Sequence, residues 1–292
     1  MVLAFAFAFP FILVVAAFAH PGSSIFVDRQ GQVYFIDTGA GVWKIDRQGR
    51  LARHPGPNFH WMAMDSDNRF AGARLPSGPG WEMALAGASP TLIVSSDFPV
   101  AIGPDGNLYY PQPAAGQGLQ MVRRMPGGRT SMMARLPAQV SGQPLLWLNG
   151  LAFGPGGALY YTEHSAIRRI APGGQVTTVV AHVAPSRCAP IPGTEPGTTP
   201  YLRGLGIDDG GTIYVAAAGC GSVLKVTPDG KVSIVLQLES PWSPTAVAVS
   251  GKDLYVLEYL HTAEERRREW VPRVRKITPD GKSAVIASVS RK

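Results

Sequence analysis

The sequence repeats one pattern six times, and this repetition constrains the fold more than any other feature. In each unit an apolar strand, a Gly or Asp turn and an aromatic-rich strand are followed by a strand that carries a cation, a Gly turn and a last apolar strand. The units begin at Ile25, Met62, Val100, Leu151, Leu205 and Val247. A four-stranded antiparallel sheet with two apolar faces needs a neighbour on each side. The sequence therefore predicts an all-β, six-bladed β-propeller with four antiparallel strands per blade.

Residues 1–19 form an apolar run that ends in Ala17-Phe18-Ala19, the small-x-small pattern that signal peptidase recognises. We expect a signal peptide over residues 1–19 and a single propeller domain over residues 20–292. Because no Lys or Arg precedes Arg29, an uncleaved membrane anchor is the alternative. A cleaved leader would make the protein secreted or periplasmic, and we expect contact with a membrane only if the leader stays uncleaved.

The formal net charge of +7 favours acidic partners only in general terms. The basic residues are spread along the repeats, apart from Arg266-Arg267-Arg268. We therefore expect a monomer that binds a protein, a peptide or a small molecule, with no specific nucleic-acid partner.

Two cysteines, Cys188 and Cys220, are too few for a metal site with tight ligand spacing. Both are placed in loops at the end of the ring that carries the long insertions, predicted at residues 75–80, 111–120, 184–202 and 259–272. In an oxidising compartment a single structural disulfide is the expected outcome. Loops on a rigid scaffold are frequent binding sites, so this end is the predicted working face.

Two stretches, LYYTEHSAIRRIAPGG and VYFIDTGAGVWKIDRQG, resemble the NHL repeat and its relatives in the streptogramin B lyases. A third, NGLAFGPGGALYYTE, resembles the regucalcin and gluconolactonase-like lactonases. The resemblance extends over all six units as a structural consensus. It implies a six-bladed propeller, but the superfamily contains lactonases, lyases and non-catalytic binding proteins, so it does not select a function.

The resemblance to the lactonases implies a divalent metal held by Glu, Asn and Asp at the top of the innermost strands. Aligning the repeats places these residues at that rim: Ser23, His60, Phe98, Asn149, Arg203 and Thr245. Only Asn149 matches a ligand, and Arg203 stands where an Asp is expected. Because calcium prefers six to eight oxygen ligands, we expect no metal cofactor, with a divalent cation such as Ca²⁺ as the alternative.

Three rim residues have a chemical interpretation of their own. His60 could act as a base, Arg203 could bind a carboxylate or phosphate, and Asn149 could orient a carbonyl. Thr245 belongs to the same predicted ligand site, and Trp242 could stack on a ligand. The alternative is that these groups line a water-filled channel and satisfy the backbone at strand ends.

Other titratable residues favour a structural role. Asp37, Glu163 and Glu258 occupy one place at the end of the second strand, and the third strand carries a cation at one register: Lys44, Arg124, Arg169, Lys225 and Lys276. Cross-strand pairs such as Asp37 with Lys44 would stabilise the sheets. Glu163 remains a catalytic candidate because His164 follows it. His182 and His261 could join His60 in a metal site, but none of them shows a ligand spacing.

Two functions from different classes remain. The main hypothesis is an exported, non-catalytic propeller that binds a protein, peptide or small metabolite on its insertion-rich face. The alternative is a small-molecule hydrolase or lyase that acts at the mouth of the central channel through His60, Asn149 and Arg203, with Glu163 as a further candidate.

Overall fold

The computed structural model describes residues 21–78, 81–114, 118–185, 188, 200–262 and 269–290. These residues form 23 strands in six antiparallel sheets, which confirms the six-bladed propeller. The predicted leader over residues 1–19 lies outside the described residues. Among the residues that are described, no helix has the length and apolar character needed to cross a membrane.

Blades 1 to 3 come from the first half of the chain. Blade 1 contains β1 (Ile25–Val27), β2 (Val33–Asp37), β3 (Gly41–Ile45) and β4 (Leu51–His54). Blade 2 contains β5 (Trp61–Asp65), β6 (Met83–Ala86) and β7 (Thr91–Ser95). Blade 3 contains β8 (Ala101–Ile102), β9 (Leu108–Pro113), β10 (Leu119–Arg124) and β11 (Thr130–Arg135).

Blades 4 to 6 complete the ring. Blade 4 contains β12 (Gly150–Phe153), β13 (Leu159–Glu163), β14 (Ala166–Ile170) and β15 (Val176–Val180). Blade 5 contains β16 (Leu202–Ile207), β17 (Ile213–Ala217), β18 (Ser222–Val226) and β19 (Val232–Gln237). Blade 6 contains β20 (Trp242–Ser250), β21 (Asp253–Leu260), β22 (Pro272–Ile277) and β23 (Ser283–Ser288).

Blade 2 differs from the predicted unit in the order of its strands. The stretch after Asp65 was expected to form the second strand, but it forms turns, and Phe70 enters the core from them with its N–H bonded to the Asp65 carboxylate at 2.7 Å. The second position is taken by β7, so the described order is β5-β7-β6. The TLIVS sequence of β7 is rich in β-branched residues and forms a strand more readily than the NRFAGA stretch.

The predicted third-strand cations do not face the acidic residues at the ends of the second strands. Other third-strand cations do so in blades 4 and 6: Arg168 pairs with Glu163, and both Arg273 and Arg275 pair with Glu258. Asp37 is paired with Gly41, and its Oδ1 accepts the Gly39 N–H at 2.9 Å, so it caps the turn at the end of β2. Lys44 lies opposite Tyr34, with its Nζ 5.4 Å from the ring centre. The same tyrosine–cation pairing recurs as Tyr160 with Arg169, Tyr214 with Lys225 and Tyr255 with Lys276. In blades 1 and 6 the cation also lies close to the ring, with Lys276 Nζ 5.6 Å from the Tyr255 ring centre, so these two cations support the scaffold through aromatic rings.

The ring is closed by side-chain packing between blades 1 and 6. The four described strands of each of these blades come from one segment of the chain, β1 to β4 in blade 1 and β20 to β23 in blade 6. One apolar cluster contains Phe35 of blade 1 together with Leu257 and Trp270 of blade 6. The hydroxyl of the buried Tyr259 donates to the Ile36 carbonyl at 2.9 Å and ties the last blade to the first.

The insertions differ in part from those predicted. The stretch 111–120 is largely occupied by β9 and β10, with Leu119 paired to Pro113, so it is a hairpin. Residues 137–148, between β11 and β12, form a longer connection that the repeat analysis overlooked. It is important for the site because it carries the half-exposed Trp147 beside Asn149.

Candidate functional site at the channel mouth

The central channel is lined by the innermost strands of all six blades and contains a cavity of about 260 Å³. Its lining side chains are mostly apolar, with Met64, Ile102 and Phe153 among them, but polar atoms supply slightly more of the cavity surface than apolar atoms do. Four of the predicted rim residues lie just before these strands, whereas Arg203 and Thr245 lie within β16 and β20. His60 precedes the lining residue Trp61, and Arg203 precedes the lining residue Gly204. The rim groups thus lie where the channel opens at the insertion-rich end.

Six rim residues form a continuous circle of contacts that we call the mouth ring: Ser23, His60, Trp61, Asn149, Tyr201 and Arg203. The Ser23 N–H donates to the His60 carbonyl at 3.0 Å, and Arg203 Nη1 donates to Ser23 Oγ at 3.2 Å. The Trp61 indole, 5.5 Å from the His60 ring, donates through Nε1 to the Asn149 carbonyl at 3.3 Å. The sequence placed four of these residues at the rim.

A close backbone approach positions Arg203. A Cβ on the next residue, Gly204, would lie 2.7 Å from the Ser23 carbonyl oxygen and 2.8 Å from the Ala246 Cβ. Only glycine fits this gap between neighbouring innermost strands, and it lets the Arg203 side chain reach the segment before β1. There Nη1 also donates to the Pro21 carbonyl at 3.1 Å. The guanidinium is consequently held at the mouth by two oxygens from the segment before β1, the Pro21 carbonyl and Ser23 Oγ.

Tyr201 completes the circle from an uncommon backbone conformation. Its φ is +40°, in the left-handed region that a bulky residue rarely occupies. Its ring lies 5.2 Å from the Arg203 Cζ, and its hydroxyl bonds to Asn149 Oδ1 at 3.3 Å. The repeat alignment gave no signal for Tyr201, because the residue precedes the strand and its placement depends on contacts with other segments.

His60 has the electronic character of a base. Its Nδ1 lies against the Ser96 carbonyl, which can only accept, so Nδ1 carries the hydrogen and Nε2 of the neutral ring carries the lone pair. Burial lowers the pKa of His60, and the charge of Arg203 lowers it further, whereas the bond to Ser96 and the charge of Asp97 raise it. The net lowering keeps the ring neutral near pH 7.

His261 lies near the mouth ring but in a sealed environment. The side chain is 3% exposed, its ring packs edge-on to Trp270 at 4.7 Å, and its Nδ1 has no hydrogen-bond partner within the described part of the chain. Burial lowers the pKa of His261 to about 3, with Arg203 adding to the effect. The ring is therefore neutral throughout the physiological range. Burial is the main cause of the lowered pKa of both His60 and His261, and the charge of Arg203 adds to it in each case.

The remaining predicted site residues lie apart from the mouth ring. Glu163 is buried, and its Oε1 accepts from Arg168 Nε at 3.1 Å and from the Val140 N–H at 3.1 Å. Thr245 is fully buried, with its hydroxyl 3.5 Å from the Leu257 carbonyl. These contacts give Glu163 and Thr245 structural roles.

Trp242 and Phe98 are also engaged in packing. The Arg273 Cζ lies 3.6 Å from the centre of the Trp242 ring, so a cation already covers one face of that ring. Phe98 stacks on Trp81 at 4.5 Å within an apolar cluster. Phe98 is therefore part of the core, whereas Trp242 is partly exposed with one ring face covered by Arg273.

The residues at the mouth do not fit a divalent cation. Asn149 Oδ1, the one oxygen that matches a lactonase ligand, already accepts from Trp147 Nε1 at 2.9 Å. The cationic Arg203 occupies the position where an acidic ligand is expected. Within the described residues, no group of three or more His, Cys, Asp or Glu side chains is arranged to hold a metal. Divalent cations require several oxygen ligands with negative charge, and this donor set supplies mainly N–H groups.

The disulfide predicted between Cys188 and Cys220 is present in the structure, with the two Cα atoms 4.4 Å apart. Cys220 closes a short 3-10 turn over Ala218–Cys220. In this turn the Ala218 N–H donates to the Tyr201 carbonyl at 3.0 Å. The cross-link therefore supports the backbone that holds Tyr201 in the mouth ring.

Comparison with known proteins agrees with this architecture. A 6-deoxy-6-sulfogluconolactonase from Pseudomonas putida is 32% identical over 139 residues, which are 45% of this chain and 44% of that protein. This alignment spans less than half the length of the curated relative.

Three solved structures share the fold. An X-ray structure provisionally named a gluconolactonase superposes with a TM-score of 0.54 and 20% identity, covering 93% of this chain and 90% of the other. The virginiamycin B lyase from Staphylococcus aureus has a TM-score of 0.51 and 16% identity, covering 92% and 84%. A calcium-binding regucalcin from Agrobacterium tumefaciens has a TM-score of 0.51 and 14% identity, covering 81% of each chain. At these identities the likeness concerns the fold alone.

The family comparison is more specific. Residues 100–263, more than half of the chain, match the family described as the SMP-30/gluconolactonase/LRE-like region. The matched segment contains Asn149, Tyr201 and Arg203 of the mouth ring. On this match, the chain belongs to the SMP-30/gluconolactonase/LRE-like family.

Proposed function

We propose that the protein is an enzyme of the lactonase type that opens a small, acidic sugar lactone at the mouth ring. The observation that carries the proposal is the convergence of a neutral histidine, an amide and an arginine at the channel mouth of a chain from the gluconolactonase family. We favour catalysis over the non-catalytic binding function, because the matched family and the curated relative are both named for lactonases.

Each of the three groups has a role in lactone hydrolysis. His60 Nε2 is buried in this structure, so substrate binding must first open it to a water. Nε2 then takes a proton from that water as the water oxygen attacks the lactone carbonyl carbon. Asn149 donates a hydrogen bond to the carbonyl oxygen, which becomes negative as the bond forms. The ring C–O bond then breaks, and the protonated His60 returns the proton to the departing oxygen. The direct products are the hydroxyl and the carboxylic acid of the open sugar acid, and the acid then loses its proton to water to give the carboxylate, so atoms and charges balance.

Arg203 accounts for the acidic part of the proposed substrate. A guanidinium binds carboxylate, sulfonate or phosphate oxygens with paired hydrogen bonds. The Pseudomonas putida relative is named for a sulfonated lactone. A negatively charged substituent on the sugar would place its charge against Arg203 and leave the carbonyl for Asn149 and His60. Among the described residues that line the channel below the mouth ring, none carries a charge, so the channel offers no comparable contact for a charged group.

The experiment compares wild-type protein with His60→Asn and Arg203→Met on a panel of sugar lactones, neutral and acidic, with a chelator and with added Ca²⁺ or Zn²⁺. We expect His60→Asn to lower kcat by about 10²- to 10⁴-fold, the usual contribution of general base catalysis. Arg203→Met should raise KM by roughly tenfold or more for acidic lactones and less for neutral ones.

His182→Asn is the matched control, because His182 is exposed and bonds only to the Ser165 hydroxyl at 2.9 Å in the described part of the chain. We expect it to retain wild-type activity. A wild-type protein that hydrolyses none of these lactones would refute the proposal and leave the binding propeller. Turnover of virginiamycin B instead would assign the chain a lyase activity.

We also propose that the protein works in an oxidising compartment, as expected for a secreted or periplasmic protein. The disulfide between Cys188 and Cys220 supports this, because such cross-links persist outside the reducing cytosol. N-terminal sequencing of the mature protein tests the proposal: a chain that starts just after Ala19 would agree with export, and an intact Met1 would contradict a cleaved leader.

A further inference from the structure

The side-chain amide of Asn149 has a defined orientation. The indole N–H of Trp147 can only donate, so the atom that it meets at 2.9 Å is the amide oxygen Oδ1. The Tyr201 hydroxyl lies 3.3 Å from the same oxygen and supplies a second donor. Both lone pairs of Oδ1 are thereby engaged, and the amide nitrogen Nδ2 lies on the other side of the group.

The amide nitrogen retains its hydrogens for a ligand. Nδ2 of Asn149 donates to no residue in the described part of the chain. Asn149 as a whole is only 5% exposed, but Nδ2 is not among the fully buried polar atoms without a partner, so this atom is the accessible part of the side chain. A nearly buried amide that keeps one accessible donor is positioned to bind an oxygen. Nδ2 cannot ligate a cation, because an amide nitrogen has no available lone pair.

Trp147 is held in place independently of Asn149. It ends the connection over residues 137–148, where Arg168 Nη2 donates to the Ala138 carbonyl at 2.8 Å and Glu163 accepts the Val140 N–H. The Trp147 ring also packs edge-on to Trp61 at 5.4 Å. The buried ion pair of blade 4 thus fixes the loop that places the indole N–H.

Tyr201 is held by a different set of contacts. Its carbonyl accepts the Ala218 N–H, and the Pro200 carbonyl accepts the Gly219 N–H at 3.0 Å. These bonds keep a backbone whose φ of +40° costs free energy for a tyrosine. Two separate parts of the fold therefore direct hydrogen-bond donors at one amide oxygen.

We propose that Trp147 and Tyr201 are positioning residues that lock Asn149 as a hydrogen-bond donor, so that the mouth ring binds the carboxylate of a sugar acid, or the carbonyl of its lactone, and rejects divalent cations. The lock deepens the proposed function and rests on it for the choice of ligand. Arg203, at the position where the family resemblance implies an acidic ligand, adds a second donor group with a positive charge. The mouth ring is consequently selective for oxygen anions.

The test measures binding without turnover. Calorimetric titrations with D-gluconate and, separately, with CaCl₂ are carried out on the wild type, Asn149→Ala, Trp147→Phe, Tyr201→Phe and the double variant Asn149→Ala/Trp147→Phe. We expect the wild type to bind gluconate and to show no heat of Ca²⁺ binding at millimolar concentration. Loss of the donor in Asn149→Ala should weaken gluconate binding by roughly tenfold, and Trp147→Phe and Tyr201→Phe should each weaken it by about three- to tenfold.

The double variant separates positioning from general structural support. If Trp147 acts through Asn149, then Trp147→Phe causes no further loss of affinity once Asn149 is alanine. Trp43→Phe is the matched control, because the Trp43 indole N–H is buried without a hydrogen-bond partner in the described part of the chain. It removes the same atoms far from the amide lock and should bind gluconate like the wild type.

Several results would overturn the lock: additive losses in the double variant, unchanged affinity in both Trp147→Phe and Tyr201→Phe, Ca²⁺ binding that Asn149→Ala abolishes, or a wild type that does not bind gluconate. These outcomes are independent of turnover. A protein that binds gluconate through Asn149 but hydrolyses no lactone retains the lock and loses the proposed activity. A protein that hydrolyses lactones equally well with Trp147→Phe and Tyr201→Phe retains the proposed activity and loses the lock.

Discussion

The buried His261 makes the stability of the fold depend on pH in a direction that follows from its environment. The side chain is 3% exposed, and burial together with the nearby Arg203 lowers the pKa to about 3 in the folded protein. In the unfolded chain the pKa returns to about 6.5. Between these two values the unfolded state binds a proton that the folded state does not bind. The free energy of unfolding therefore falls as the pH falls below about 6.5.

The size of the effect follows from the two pKa values. Each pH unit inside this window costs about 1.4 kcal/mol, so a change from about pH 7.5 to about pH 5 lowers the free energy of unfolding by about 2 kcal/mol through His261 alone. His60 and His54 act in the same direction, because burial lowers the pKa of both, with Arg203 and Lys44 respectively adding to the effect. The total dependence should therefore exceed the His261 contribution.

Urea denaturation of the wild type and of His261→Phe at several pH values isolates this residue. Phenylalanine keeps an aromatic ring beside Trp270, which lies 4.7 Å from the histidine ring, and cannot be protonated. We expect the variant to lose about 2 kcal/mol less than the wild type between about pH 7.5 and about pH 5. His261→Gln is a second variant that cannot be protonated in this pH range, and it serves if phenylalanine packs poorly. We expect it to show the same reduced dependence of stability on pH. Parallel pH profiles for all three proteins would refute the account of a neutral, buried His261.

Two further predictions concern the cross-links of the ring. Tyr259→Phe removes the bond to the Ile36 carbonyl, and thermal unfolding should show a loss of about 1 kcal/mol, or roughly 2–4 °C in Tm; an unchanged Tm would mean that blades 1 and 6 close by apolar packing alone. Reduction of the bond between Cys188 and Cys220 should lower the free energy of unfolding in urea by roughly 3–4 kcal/mol, as expected for a loop of this length. Two reactive thiols in the unfolded, unreduced protein would contradict that cross-link.

The repeat pattern was sufficient to predict much of the site. Each unit brings an equivalent residue to the top of its innermost strand, so the register of six hairpins placed His60, Asn149 and Arg203 at one rim before any contact was known. This succeeded because hairpin register depends on local turn residues and on strand alternation. The same local logic predicted that the loops of Cys188 and Cys220 meet, and the disulfide confirms it.

Predictions that required specific partners were less successful. The expected pair of Asp37 with Lys44 was wrong because Asp37 caps its own turn and Lys44 lies against Tyr34. The second strand of blade 2 was misplaced because the Thr91–Ser95 segment, further along the chain, competes for the same edge of β5 and forms a strand more readily. Local patterns do not report which of two segments wins such a competition.

The sequence by itself determined the architecture and the identity of the main groups at the rim of the channel, because both follow from short-range periodicity repeated six times. Only the tertiary structure decided what those groups can do. The amide of Asn149 became a donor through Trp147 and Tyr201, which come from two different connections of the ring. Such an orientation depends on the summed contacts of distant segments, and no spacing within the chain encodes it directly.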